Sequence, residues 1–223
     1  MQLTQSSVGR KIIMAVTGAM LFAFVCVHLL GNSSLFFGSA AINAYAQKLH
    51  SLGPVVWIFR LVMLGLFAVH IYFGIQLTIE NKAATPDKNV QVKRLKTGFA
   101  AETMVVSGLV IMAFAIYHLL HFTVRVTNPE IYVPIEGGGG MVDVFYMMVQ
   151  GFSSIFAVLI YVIAMVFLFL HVSHGFQSLF QTIGLSNDRT LPVMGNLSKL
   201  VGVVLLVGYA SIPLLIIFGI VGR

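Results

Sequence analysis

Seven histidines punctuate a chain otherwise poor in ionisable groups: His28, His50, His70, His118, His121, His171 and His174. Imidazole carries a neutral nitrogen lone pair near pH 7, so it serves as a metal ligand, a proton carrier or a pH sensor. All but His50 fall inside long apolar stretches, where an ionisable group is costly and marks function by default. Taken singly, each reads equally well as a polar group hydrogen-bonded to a neighbouring helix. Their joint pattern says more. The same nine residues separate Thr17-Gly18 from His28-Leu29-Leu30 and Ser107-Gly108 from His118-Leu119-Leu120. A second pattern recurs as His70, Gly74 and Gln76 and as His171, Gly175 and Gln177. The two patterns alternate along the chain.

The elements that must position these histidines are membrane helices. Hydrophobic residues make up 58% of the 223 positions and charged residues 9%, whereas a soluble domain carries about 25% charge. A helix needs about 20 apolar residues to cross roughly 30 Å of hydrocarbon. Five segments qualify: residues 12–30, 55–79, 99–124, 145–180 and 193–221. The fourth exceeds one span, so its ends are expected to project into the interface, and Pro213 is expected to kink the fifth. The fold class is therefore an all-α membrane protein, a single five-helix bundle over residues 1–223. No cleavable leader is evident, and the first segment is expected to be retained. There is no basic soluble domain for nucleic acid. The lone Cys26 excludes an internal disulfide and a cysteine-based metal cluster.

Lysine and arginine set the expected orientation. With the N-terminus cytoplasmic, nine of the thirteen fall on that side (Arg10, Lys11, Lys82, Lys88, Lys93, Arg94, Lys96, Arg189, Lys199). Lys48, Arg60, Arg125 and Arg223 fall outside, which predicts N-in, C-out. The outer loops, residues 32–54 and 125–141, are longer than simple connections need, and the second holds the run Gly137 to Gly140.

Depth then sorts the histidines. His28 lies roughly 26 Å above the start of its helix, and His70 on the order of 16 Å above the cytoplasmic end of the next. His28 and His118 thus share an outer level, and His70 and His171 an inner one. Two pairs at two depths fit two bis-histidine b-type haems stacked across the membrane. Scarce intramembrane carboxylates disfavour a di-iron site, and the absent thiolate set disfavours iron–sulfur and structural zinc. Gly74 and Gly175 follow their histidines by four on the same face, where a missing side chain lets a flat macrocycle approach. Gly18 and Gly108 fall near the inner level and are expected to make room there; ordinary small-residue helix packing is the plainer account. His121 and His174, three residues beyond a preferred ligand, stay as alternatives for His118 and His171. Otherwise they serve propionate bonding or interhelix pairing.

These motifs resemble the cytochrome b membrane anchor of succinate:quinone oxidoreductases, in the branch where one polypeptide carries five helices and two haems. The likeness covers nearly the whole chain and is carried by residues 17–30, 70–74, 107–118 and 171–184, with 43–54 also similar. It implies one haem ligand on each of the first four helices, here His28, His70, His118 and His171. It also implies a bacterial cytoplasmic membrane, a flavoprotein and an iron–sulfur subunit on the cytoplasmic face, and electron exchange with menaquinone near the outer haem. Arg10-Lys11 and the basic loop 82–96 would dock the iron–sulfur subunit, or serve topology alone. Two departures stand out. Some members carry a carboxylate two residues before the fourth ligand, where this chain has Phe169. Some carry an acid in the first outer loop, where this chain offers His50 with Asn43, Gln47 and Lys48 nearby. His50 is thus a candidate for exchanging protons with quinone, or an ordinary interfacial histidine.

The function expected on this resemblance is respiratory electron transfer within a succinate dehydrogenase or fumarate reductase. The chain has no flavin fingerprint and no cysteine cluster of its own, so dicarboxylate chemistry would fall to other chains. An anchor of another quinone-linked dehydrogenase, such as a hydrogenase or formate dehydrogenase, is the nearest rival. A haem-free transporter is the more distant one; it would show inverted repeats around one central site, whereas these repeats run parallel.

Overall fold

Residues 4–84, 99–135 and 140–222 are described by the computed structural model. Most of the basic loop, from residue 85 on, lies outside the described residues, as do Gly137 to Gly139 and Arg223. Helix α1 (Ser7–Ser33) starts where extended Ser6 accepts a hydrogen bond from the Gly9 amide at 3.0 Å, an ordinary N-cap. It tightens into a single 3₁₀ turn, Ser34–Phe37. Gly38 at φ 93° then turns the chain into α2 (Ser39–Ser51), and Gly53 at φ 54° turns it again ahead of α3 (Pro54–Ala83). Both turns need a left-handed residue, which glycine adopts without strain, and Pro54 occupies the first helical turn, where no amide partner is lost.

The short α4 (Phe99–Glu102) leads into α5 (Met104–His118), which widens into π-helix over Leu119–Val124 and stops at left-handed Arg125. A 3₁₀ turn at Pro129–Ile131 and a lone bridge between Pro134 and Val142 precede α6 (Val144–Gly151). Helices α7 (Ile155–Thr182) and α8 (Thr190–Ile217) complete the chain.

Among the described residues, five helices are long and apolar enough to cross a membrane: Ser7–Phe37, Pro54–Ala83, Met104–Val124, Ile155–Thr182 and Thr190–Ile217. One sequence expectation needs correction, and two gain detail. The fourth segment is not one projecting helix, because residues 152–154 interrupt it; Ser154 is extended and caps a fresh start for α7. The first outer loop is largely the helix α2. The fifth helix begins at Thr190, with Asn187 Oδ1 accepting from the Arg189 and Thr190 amides at 3.0 and 2.9 Å, and it continues as α-helix through Pro213.

Successive spans run antiparallel. Arg10 meets Glu80 at 2.8 Å where α1 begins and α3 ends, and this defines the near end of the bundle. Helix α7 lies between α5 and α8 and also touches α1. Its approach to α8 is close, since a Cβ on Gly202 would lie 2.7 Å from Ser173 Oγ and 2.9 Å from Phe169 Cδ2. Small residues allow this, and the fully buried Ser198 hydroxyl bonds the Ser173 carbonyl across the seam. The packed core gathers towards the far end, from Leu29, Leu35, Ile42, Met148, Phe152 and Ile216. Trp57, Leu61 and Phe156 stay 63%, 65% and 75% exposed; side chains this apolar suit lipid.

Candidate functional site

The far ends of α1 and α5 bring His28 and His118 together, with ring centres 5.9 Å apart and planes at 80°. Asn32, one turn beyond His28, bonds that residue's carbonyl at 2.8 Å and reaches its ring nitrogens at 3.3 and 3.4 Å. Tyr209 of α8 flanks the same ring at 6.2 Å. His118 Nδ1 hydrogen-bonds the Tyr161 hydroxyl of α7 at 3.1 Å, and His121 Nδ1 bonds the same hydroxyl, also at 3.1 Å. The π-helical stretch aims His121 inwards, where it is 1% exposed and stacks on Phe122 at 4.1 Å. Its carbonyl accepts from Tyr132, whose ring lies beneath the Arg125 guanidinium at 5.2 Å. Burial pushes the Tyr132 phenol up and the Arg125 charge opposes this only in part, so Tyr132 stays a neutral donor.

Deeper in the bundle, His70 of α3 and His171 of α7 stand with ring centres 6.3 Å apart and planes at 69°. The Thr17 hydroxyl of α1 lies 3.1 Å from His70 Nδ1, and the Ser107 hydroxyl of α5 lies 3.2 Å from His171 Nδ1. Thr17 precedes His28 by eleven residues and Ser107 precedes His118 by eleven. Helical rise then sets the two histidine pairs about 16 Å apart along the axis.

The matching glycines also meet these rings. A Cβ on Gly18 would lie 3.0 Å from His70 Cε1, and one on Gly108 would lie 3.3 Å from His171 Cε1. What the two glycines admit is therefore the imidazole of the neighbouring helix. Gly74 faces Met14, with its Cβ direction 3.6 Å from Met14 Cε, and the Cβ direction of Gly175 has no atom within 4 Å. His174 turns aside to bond Ser178 at 3.1 Å. His50 sits exposed on α2 and lines a small far-end cleft with Asn43, Arg125, Gly140 and Val142.

Tyr161 and Asp143 escaped the sequence reading, and Asn43 stood in it only as a neighbour of His50. Tyr161 bridges two histidines across helices. Asn43 donates to Asp143 at 3.0 Å and accepts from the Val144 and Phe145 amides at 2.9 and 3.2 Å. That clamp brings Asp143, just beyond the second outer loop, against the first loop, which has no acid of its own. Thr17 and Ser107 stood in the repeat, but nothing in sequence said which ring each would meet.

Among the described residues, no three His, Cys, Asp or Glu side chains converge as a metal-ligand set. Four of the seven histidines come as two pairs. The sequence matches no family model, no curated protein and no solved structure.

Pairs of this kind can be tested against the group they suggest. Metal–imidazole bonds of about 2.0 Å on either side of one ion, with each ring centre about 1.1 Å behind its nitrogen, give roughly 6.2 Å between centres. The two pairs, at 5.9 and 6.3 Å, match that span. A haem supplies its own four in-plane nitrogens, so two protein ligands complete it. The donor sets therefore fit a haem at each level.

Proposed function

We propose that this chain is a di-haem cytochrome b membrane anchor of a succinate:quinone oxidoreductase. It relays electrons between an iron–sulfur subunit at the near, cytoplasmic end and menaquinone in the membrane. The observation that carries the haem part is the spacing of the two histidine pairs on four different helices, at two levels of one bundle. The succinate part rests on the motif resemblance.

In this reading His28 with His118, and His70 with His171, hold one haem each. When bound, the haems supply reversible one-electron storage between iron(II) and iron(III). The chain's own residues do the rest. Four antiparallel helices fix the opposed imidazoles, and hydroxyl partners on three of the four rings restrain their rotation. Apolar side chains exclude water, which favours lower net charge at each level. At the far end His50, beside Asn43 and Arg125, exchanges protons with quinone. Flavin and iron–sulfur chemistry belong to partner subunits that dock on Arg10, Lys11 and the basic loop.

The test is a dithionite-reduced minus oxidised spectrum of the purified protein, with haem counted per chain and co-purifying subunits identified. Two b-type haems with flavoprotein and iron–sulfur partners are expected. His28→Ala and His118→Ala should remove the same haem, and His70→Ala and His171→Ala the other. A folded preparation made with ample haem that binds none would refute the reading. Two haems with hydrogenase subunits would refute the succinate part alone.

A further inference from the structure

We propose that Thr17-Gly18 and Ser107-Gly108 are imidazole clamps, each setting the tautomer and rotation of the histidine on the next antiparallel span. This deepens the di-haem reading and rests on it for its redox consequence.

The tautomer follows from counting protons. A hydroxyl has one hydrogen to donate. Thr17 Oγ1 spends it within α1, on the Ile13 carbonyl at 2.8 Å, with the Met14 carbonyl at 3.2 Å. Ser107 Oγ likewise donates to the Met104 carbonyl at 3.0 Å. Back-bonding of this kind is common for serine and threonine inside helices. Each oxygen is left with only lone pairs for the ring nitrogen before it. The 3.1 and 3.2 Å contacts to His70 and His171 are therefore hydrogen bonds only if those rings carry their proton on Nδ1. Nε2 is then the free lone pair in both rings, as a metal-facing nitrogen must be.

The glycine does the steric half. With Cβ positions 3.0 and 3.3 Å from Cε1, even alanine would make the ring give by a few tenths of an ångström, which lengthens its contact with the hydroxyl. Hydroxyl and glycine act on adjacent atoms of one ring, which explains why they are adjacent in sequence. The arrangement occurs twice, on separate helix pairs. The far pair is held otherwise, by Asn32 on His28 and by Tyr161 on His118. The hydroxyl–glycine device is thus specific to the inner level.

Thr17→Val and Ser107→Ala remove the hydroxyl acceptor with little change of volume and leave each ring only the backbone carbonyl of Met14 or Met104, and Thr17→Ser and Ser107→Thr keep the hydroxyl. Each is made in the full chain within its membrane complex and titrated by spectroelectrochemistry, with electron paramagnetic resonance of the oxidised protein. An accepted hydrogen bond makes the ligating ring a stronger donor and favours the oxidised metal. Thr17→Val and Ser107→Ala should therefore raise the midpoint potential of one haem and change its low-spin signal, leaving the other haem unmoved. The conservative variants should restore the wild-type values. Gly18→Ala and Gly108→Ala should lower occupancy of that same haem. Two haems with unchanged potentials in Thr17→Val and Ser107→Ala would overturn the clamp and leave the di-haem reading standing. If the wild type binds no haem, that reading fails and nitrogen NMR of histidine-labelled protein decides the clamp. Nδ1–H signals from His70 and His171 that shift in Thr17→Val and Ser107→Ala support it, and Nε2–H rings in the wild type, or Nδ1–H signals that do not move in these variants, overturn it.

Discussion

Removing one oxygen atom from Tyr161 should weaken the far half of the bundle measurably. Tyr161→Phe keeps the ring, which packs 4.9 Å from Phe114 and 4.8 Å from Phe152. What disappears is the hydroxyl that serves both His118 and His121, each at 3.1 Å. The tyrosine is 7% exposed and His121 is 1% exposed, so water cannot readily replace the lost partner. Two neutral hydrogen bonds contribute roughly 1 kcal/mol each, and an unsatisfied buried nitrogen costs roughly 1–3 kcal/mol, so the loss should total about 3–5 kcal/mol. Unfolding in a single detergent, followed by helical signal against temperature or denaturant, reads this directly. Tyr161→Ala must cost more, because removing a buried aromatic ring typically costs about 3–5 kcal/mol. In haem-loaded protein Tyr161→Phe should also shift the potential of the far haem alone. A loss below about 0.5 kcal/mol, the level of an ordinary surface substitution, would show that the hydroxyl bridge carries no stability.

Asn43→Ala should cost about 2–3 kcal/mol, since it removes three bonds between α2 and the start of α6. Faster proteolysis of the far-end loops would report it, and Asn43→Asp should fail to rescue because it sets a second carboxylate against Asp143. Glu80→Gln should cost about 1.5–3 kcal/mol, because the Arg10 side chain is only 13% exposed and loses its charged partner at 2.8 Å; a thermal shift assay showing no change would refute this. Gly202→Val should cost about 1–3 kcal/mol or more by overpacking, since the Phe169 backbone oxygen, 3.2 Å from its Cβ position, cannot step aside. Gly195→Ala, with its nearest neighbour 3.5 Å away on flexible Gln177, is the matched control and should unfold like the wild type.

Sequence by itself determined the five spans, because hydropathy is a local property and a helix in hydrocarbon needs only length and apolarity. It also placed His28 with His118 and His70 with His171 at two levels, because rise per residue converts spacing into depth, but it left His121 and His174 as alternatives. Those same four are the ones whose rings meet in two pairs. Helix ends were less legible. The break at residues 152–154 lies inside an apolar run and leaves no trace in hydropathy, and α2 was hidden because an interfacial helix of thirteen residues needs no long hydrophobic stretch. Tertiary structure alone decided the hydrogen-bonding shell. Asn43 and Asp143 are a hundred residues apart, and Tyr161 reaches two histidines on another helix. Gly18 and Gly108 show the division most clearly. Their place in a repeat was written in the sequence, but a glycine records only that a side chain is missing. Which ring fills that space depends on the rotation and approach of two helices, and only their packing sets those.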